Sequence, residues 1–397
     1  MTELLSVDGA LDAILARAQR LESENVPIAW AAGRVLAADA RAAVDLPPFA
    51  SSAMDGFALR AGDTPGTLPV VERVAAGRPA SRALSAGEAM AIATGAVVPG
   101  GADAVIPLEY VVERDNTIDV GERVRAGAHV RPRGGDVRAG ETVVADGTRL
   151  GPAQVGAAAA AGVAVVRCTR RPRVAVVTTG TELRSPGEPL GPGQIYEANA
   201  SILAAALQSA GADVVTVSAV ADDAGLHREA LARALEQDLV VTSGGVSVGP
   251  HDLVRSVERE LGVEEIFWRV AVKPGKPLSF GVRGRTLVFG LPGNPVSALV
   301  CFEVFVRTAV RALQGERDPR PRYVAGDLAA AIRRNAERDE FVRARTTLTD
   351  GRVVLEPVSG QESHMIARAA AADALVLAPR GEGELASGTT VRFLPLA

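Results

Sequence analysis

Cysteine, histidine and lysine are all scarce in this chain, and each scarcity removes a class of chemistry. Only two cysteines occur, Cys168 and Cys301, far apart and in no Cys-x-x-Cys motif, which argues against a disulfide framework and a thiolate zinc site. The four histidines (His129, His227, His251, His364) are scattered. Neither an imidazole-based metal centre nor a Ser-His-Asp triad is suggested. Aromatic residues make up 4% of the chain, the net charge is −4, and no basic run interleaves with aromatics, so a general nucleic-acid binder is disfavoured. The longest apolar stretch, residues 155–166, is mostly Ala and Gly and is too short to span a bilayer. The first residues carry early acids and no basic segment ahead of an apolar one. No secretory signal is read there, and the expected location is the cytoplasm. Lysine is the oddest shortage. Of 43 basic residues only Lys273 and Lys276 are lysines, and they share the stretch Lys273-Pro274-Gly275-Lys276-Pro277. Arginine is a flat fork, whereas lysine is a compact point charge with three rotatable donors. The pair marks a place where a fork does not fit, or else a turn that Pro and Gly built by chance.

What the chain does contain divides it. At 397 residues it exceeds one hydrophobic core, which stops growing near ~250–300 residues. An amphipathic helix is expected over residues 7–21, capped by Ser6. From Asp45-Leu46-Pro47-Pro48-Phe49 to about Gly140 short strands alternate with Gly/Pro turns, a small β-rich region. A helix and strand follow over residues 152–166. Between about 172 and 315 strand-like and helical runs alternate, which implies βαβ units and a doubly wound, mostly parallel sheet. Strands are expected near 174–177, 214–220, 239–241, 268–272 and 287–289, with helices near 200–211, 226–236, 253–261 and 296–313. Beyond Asp318-Pro319-Arg320-Pro321 the pattern is β-branched and alternating, a small C-terminal β-barrel.

In an open α/β sheet ligands bind at the carboxyl ends of the strands. Five loops stand there. They are Thr178-Thr179-Gly180-Thr181-Glu182, Ala221-Asp222-Asp223, the run from Thr242 to Gly249 with Ser243, Gly244, Gly245 and Ser247, the lysine turn, and Leu291-Pro292-Gly293-Asn294-Pro295. Glycine lets backbone N–H groups approach an anion. Glu182, Asp222, Asp223 and Asp252 fall at the same edge as the lysines, and carboxylates beside a phosphate site usually hold a divalent cation. Asp223 and Asp252 each also read as a helix cap. The central segment has no Walker or dinucleotide motif. Outside it stand the hydroxyl-rich run around Asp55, the Thr94-Gly95 turn, and the loop Arg131-Pro132-Arg133-Gly134-Gly135-Asp136.

These segments, DLPPFASSAMDGFA, ATGAVVPGGADAVI, RPRGGDV, VVTTGTEL, GQIYEANASIL, TSGGVSVGPHD, AVKPGKPLSFG and GLPGNPVSALVCFEVF, carry a resemblance over essentially the full length. The chain resembles the molybdopterin molybdenumtransferases, bacterial relatives of the gephyrin E domain. The resemblance implies an α/β multidomain homodimer whose central domain has a molybdopterin-binding fold. It implies a discontinuous linking domain (1–45 plus 141–171), a β-rich domain (46–140), the central domain (172–317) and a barrel (318–397). The implied reaction inserts molybdenum from molybdate into adenylylated molybdopterin and releases AMP, with Mg²⁺ as cofactor. Lys273, Lys276, Ser297, Arg338 and Ser363 would hold the oxyanion. Glu182, Asp222, Asp223 and Asp252 would serve the metal and the adenylate. Asp55, Thr94 and Asp136 would reach the site from the partner subunit. Gly180, Ser243, Gly244, Gly245, Ser247, Pro292, Gly293, Asn294 and Pro295 would form the substrate-binding loops. Glu362, beside Ser363, departs from the family's usual small or neutral residue and must point away or pair with an arginine. Transient partners implied are a molybdopterin adenylyltransferase and molybdoenzymes, with no nucleic acid and no membrane.

Two other readings compete. A non-catalytic scaffold or cofactor carrier would not need the acids Asp55, Asp136, Glu182 and Asp252. A molybdopterin adenylyltransferase would need only the central domain. Tungstate remains an alternative oxyanion.

Overall fold

The structure, a computed structural model, describes residues 4–221, 223–245 and 253–396. The chain forms two compact units. One comprises Asn25–Ala32 and Ala38–Arg167; the other comprises the segment ending at Glu24, Gly33–Ala37 and the chain from Cys168 onward.

Helix α1, Val7–Leu15, opens the second unit, and the Ser6 hydroxyl accepts from Gly9 N as expected of a cap. It buries Val7, Ala10, Leu11 and Ile14, one stripe at helical spacing. It ends six residues before the expected limit of 21, because the chain turns out to let Leu21 N donate to Leu313 O at 3.0 Å.

The first unit is built on a six-stranded sheet. Its strands are β1 Gly56–Leu59, β2 Gly66–Val74, β3 Ala89–Ile92, β4 Ala104–Pro107, β5 Val111–Arg114 and β6 Thr117–Val120, in the order β4-β1-β3-β2-β6-β5. Phe57, Leu59, Ile106, Ile118 and Val120 form its core, which agrees with the β-rich pattern. Helix α2, Pro152–Ala160, follows.

The second unit carries the α/β sheet. Its elements are β7 Arg173–Thr179, α3 Asn199–Ser209, β8 Asp213–Val220, α4 Ala224–Ala234, β9 Leu239–Ser243, α5 Leu253–Glu260 and β10 Glu264–Trp268. The two-residue β11 Val272–Lys273 comes next, then β12 Ser279–Arg283, β13 Thr286–Leu291 and α6 Pro295–Cys301. The order is β8-β7-β9-β13-β12-β10. The first four strands are parallel, and β12 runs antiparallel to both of its neighbours, β13 and β10. Of the parallel strands, β7, β9 and β13 are buried apolar runs, as strands covered on both faces must be, whereas β8 at the sheet edge has no fully buried residue.

Three expectations need correction here. The strand expected at 268–272 is split. Arg269 takes φ 73°, its guanidinium stacks 3.8 Å from the Trp268 ring centroid, and the chain leaves the sheet there. β12 was not foreseen; it forms a hairpin with β13 through Gly284. The helix expected over 296–313 is α6, a fully buried π turn Phe302–Val306 and α7 Arg307–Leu313.

The C-terminal strands are β14 Val324–Leu328, β15 Asp339–Thr349, β16 Arg352–Pro357, β17 Ala374–Ala378 and β18 Thr390–Pro395. They run in the order β15-β16-β14-β18-β17, and β17 pairs back to β15, so the barrel closes. β11 pairs in parallel with β15 and ties barrel to α/β sheet. Phe341, Leu375, Leu377 and Leu394 share one core with Phe280, Phe289 and Phe302. Among the described residues no helix is long and apolar enough to cross a membrane.

Arg343, on β15, is 2% exposed and faces no described carboxylate at ion-pair distance. Its guanidinium donates to the carbonyls of Gly360 (2.7 Å), Met365 (3.2 Å) and Glu362 (3.3 Å) and to Gln361 Oε1 (3.3 Å). Burial lowers its pKa, and the charge of the exposed Glu362 opposes that shift. Arg343→Met keeps most of the volume but removes donors from three carbonyls. We expect a loss of about 3 kcal/mol, near 1 kcal/mol for each carbonyl left without its donor, since Gln361 Oε1 still accepts from Arg343 N. Urea denaturation monitored by tryptophan fluorescence checks it.

Candidate functional site

The carboxyl ends of β7, β9 and β13 surround an open cleft of about 900 Å³. Gly180 and Glu182 follow β7, Ser243, Gly244 and Gly245 end β9 and its loop, and Pro292, Gly293 and Asn294 follow β13; all line the cleft. Gly244 has φ +94°, and a Cβ there would meet Thr179 O at 2.5 Å. Only glycine lets these two loops touch.

The floor is a hydrogen-bond chain that sequence reasoning missed. Asn199, first residue of α3, donates from Nδ2 to Ser243 Oγ (2.9 Å) and to Gly293 O (2.7 Å). Ser243 Oγ in turn donates to Pro292 O at 3.2 Å. A carbonyl can only accept, so the amide orientation is fixed. Asn199 Oδ1 and the hydroxyls of Thr178 and Thr179 are then buried with no partner among the described residues. All three residues line the cleft. Buried polar atoms left this way await a ligand or water. Glu197, also buried, accepts from Asn199 N (2.7 Å) and Ala200 N (2.8 Å), capping α3. The GQIYEANASIL segment was the available signal.

The lysine turn stands beside this cleft. Pro277 lines it, while Lys273 lines a second cleft of about 680 Å³ against the barrel. The turn is held from inside. Leu278 N donates to Gly275 O (3.1 Å), Val270 N donates to Lys276 O (3.0 Å), and the buried Cys301 thiol lies 3.8 Å from Gly275 O. Burial pushes that thiol's pKa well up, so it stays protonated. Lys276 is exposed. Arg338 immediately precedes Asp339, the residue opposite Val272 in the β11–β15 pair. Its Nε is buried with no partner among the described residues.

Asn294 caps the start of α6, and Pro295 is its first residue. Asn294 Nδ2 donates to Ser363 Oγ (2.9 Å), and Val296 N donates to Ser363 O (3.0 Å). Ser297 is buried within α6. Asp223 caps α4, accepting from Leu226 N at 2.9 Å, the bland reading of that acid. Asp222, Ser247 and Asp252 lie outside the described residues. Among the described residues no group of three or more His, Cys, Asp or Glu side chains could hold a metal ion.

In the other unit Asp55 Oδ1 accepts from Thr94 N (2.7 Å) and from Thr94 Oγ1 (3.0 Å). The backbone N–H chiefly, then the hydroxyl, holds this exposed carboxyl below its ordinary pKa. The stabilisation from a depressed carboxyl is present above its unfolded pKa and fades as pH falls through the folded one. Asp136 is exposed, and its N–H donates to Leu46 O at 2.9 Å.

Three family profiles match the chain. "MoeA N-terminal region (domain I and II)" covers residues 5–162, "Probable molybdopterin binding domain" covers 175–312, and "MoeA C-terminal region (domain IV)" covers 325–396. Molybdopterin molybdenumtransferase 2 of Mycobacterium tuberculosis is 40% identical, over 94% of this chain and 95% of its own length. Molybdopterin molybdenumtransferase of Haemophilus influenzae is 34% identical, over 94% of both. A crystal structure of a molybdopterin biosynthesis MoeA protein from Pyrococcus horikoshii superposes with a TM-score of 0.81 at 32% identity, covering 99% of each chain.

The lysine turn yields a test of packing. A Cβ on Gly275 (φ +122°) would meet Cys301 Sγ at 2.5 Å. Gly275→Ala should destabilise the protein by about 2 kcal/mol, part from the clash and part from the backbone. Adding Cys301→Ala should recover the clash share, and a double-mutant cycle by urea unfolding measures it.

Proposed function

The chain belongs to the molybdopterin molybdenumtransferase family, and from that premise we propose that it inserts molybdenum from molybdate into adenylylated molybdopterin and releases AMP. The observation that carries the reading is the position of the lysine turn between two clefts. In this reading the larger cleft takes the pterin and its adenylylated phosphate, with the unpartnered oxygens of Asn199, Thr178 and Thr179 meeting polar edges of the ligand. Lys273, Lys276 and Arg338 face the oxyanion, with Ser363 and Ser297 near the junction to α6. Two compact ammonium groups can contact different oxygens of a tetrahedral dianion without the planar bias of a guanidinium.

Mg²⁺ is typically held by one or two carboxylates with substrate phosphates completing the shell. Glu182, at the cleft, fits that mode, with Asp222 and Asp252 as further candidates; Asp223 is engaged as a cap. The ion would neutralise charge on the anhydride as AMP leaves. We further propose the four-domain division given above, a cytoplasmic homodimer, and transient contact with the adenylyltransferase and recipient molybdoenzymes. Asp55, Thr94 and Asp136 are proposed to complete the partner's site.

Purified protein given adenylylated molybdopterin, Mg²⁺ and molybdate should release AMP in a molybdate-dependent way; release indifferent to molybdate would sink the reading. Lys276→Arg should raise the molybdate KM about tenfold, or ~1.4 kcal/mol, with an unchanged melting temperature. Mixing inactive Asp55→Asn and Lys276→Ala subunits tests the shared site. Random dimers should regain about a quarter of wild-type activity, because half of them carry one intact site. No recovery after subunit exchange would place Asp55 in the same subunit's site.

A further inference from the structure

Lys273 is already paired. Its Nζ lies 3.0 Å from Glu340 Oε1, with the Glu340 side chain 12% exposed and that of Lys273 44%. The pairing follows from strand register, since β11 runs parallel to β15 with Lys273 directly opposite Glu340. Both side chains line the second cleft, whose other charged lining residues are Arg333, Arg334 and Glu382. Arg334 directs Nε and Nη2 at the carbonyls of Pro379 and Arg380. The carboxylate nearest Lys273 is therefore held in place by the barrel's longest strand.

We propose that Glu340 is the specificity-determining counter-charge of the oxyanion site, acting through Lys273. The proposal rests on the reading that Lys273, Lys276 and Arg338 hold the oxyanion. Three cations would over-neutralise a dianion, and each added net positive charge favours doubly over singly charged oxyanions. One carboxylate brings the set to two net positive charges, equal and opposite to molybdate. It also positions the ammonium. Of its three N–H donors, one directed at Glu340 leaves two with defined directions for the oxyanion. A guanidinium opposite Glu340 would instead close on the carboxylate as a two-point fork. This gives the shortage of lysine a second reason at this position: the cation must serve a carboxylate and an anion at once. Glu362, next to Ser363, does not share the role, since it is exposed and its charge acts on Arg343.

Molybdate and perrhenate are tetrahedral oxyanions of similar size that differ by one charge. Calorimetric titration of the full-length protein with each, without pterin substrate, separates charge from shape. Repulsion from Glu340 scales with ligand charge. Glu340→Gln keeps an acceptor for Lys273 and should tighten molybdate about tenfold but perrhenate only about threefold. Glu340→Asp, measured in parallel, keeps the charge and should keep the wild-type molybdate-to-perrhenate ratio. A structural role would move both anions by the same factor. Equal factors, no change, or weaker molybdate binding in Glu340→Gln would overturn the proposal, as would a shifted ratio in Glu340→Asp should the Gln variant not fold. If the wild type binds molybdate and only these variants behave otherwise, the enzymatic reading stands and the role of Glu340 falls. If the wild type binds neither anion, the oxyanion-site reading falls with it.

Discussion

Two residues of β-strand hold this site together. Val272–Lys273 pairs with Asp339 and Glu340, and this short parallel ladder joins the lysine turn of the α/β sheet to the C-terminal barrel. The turn could not hold its place by itself, being a run of Pro and Gly between charged side chains. It is fixed on one flank by the ladder and beneath by Cys301 against Gly275. A second junction runs through Ser363, which Asn294 and Val296 hold at the start of α6. Arg343, inside the barrel, organises the loop from which Ser363 projects. The residues assigned to an anion thus come from two folds that share one apolar core.

The division of labour between the two basic residue types follows from geometry. Arginines in this chain close as forks on carboxylates: Arg170 on Asp238, Arg82 on Glu88, Arg255 on Glu265 and Arg307 on Glu303, each with two nitrogens engaged. Such pairs stiffen a surface and present little charge to a ligand. Lys273 meets Glu340 through one nitrogen, and Lys276 stays exposed. A chain that uses arginine for scaffolding keeps lysine where a charge must remain available.

The α/β segment was legible because apolar runs of strand length alternate with helical stripes, and the polar strand ends then named the cleft without coordinates. The barrel strands were legible from their β-branched alternation. Arg269 was not, because a left-handed arginine is stabilised by stacking on Trp268, a matter of side-chain packing. The π turn in the helix after Asn294 has no signature in a segment where all five residues, Glu303 included, are buried. Asn199 sits within the GQIYEANASIL segment, but its importance lies in which of its atoms are left unpaired, which no local pattern shows. Glu340 escaped notice because its partner lies in another domain, and register between distant strands cannot be read from local pattern.

The closed barrel has a consequence beyond stability. β15 pairs with β11, β16 and β17 at once, so its register is fixed by three neighbours. Side chains alternate faces along a strand, so a slip of one residue would turn Glu340 away from Lys273 and Arg343 out of the core. The barrel works as a ruler, in which the spacing from Glu340 to Arg343 translates a hydrophobic register into the placement of a charge. An insertion would leave that register intact only at the far turn of Asp350 and Gly351, where positive φ already marks the end of the scale.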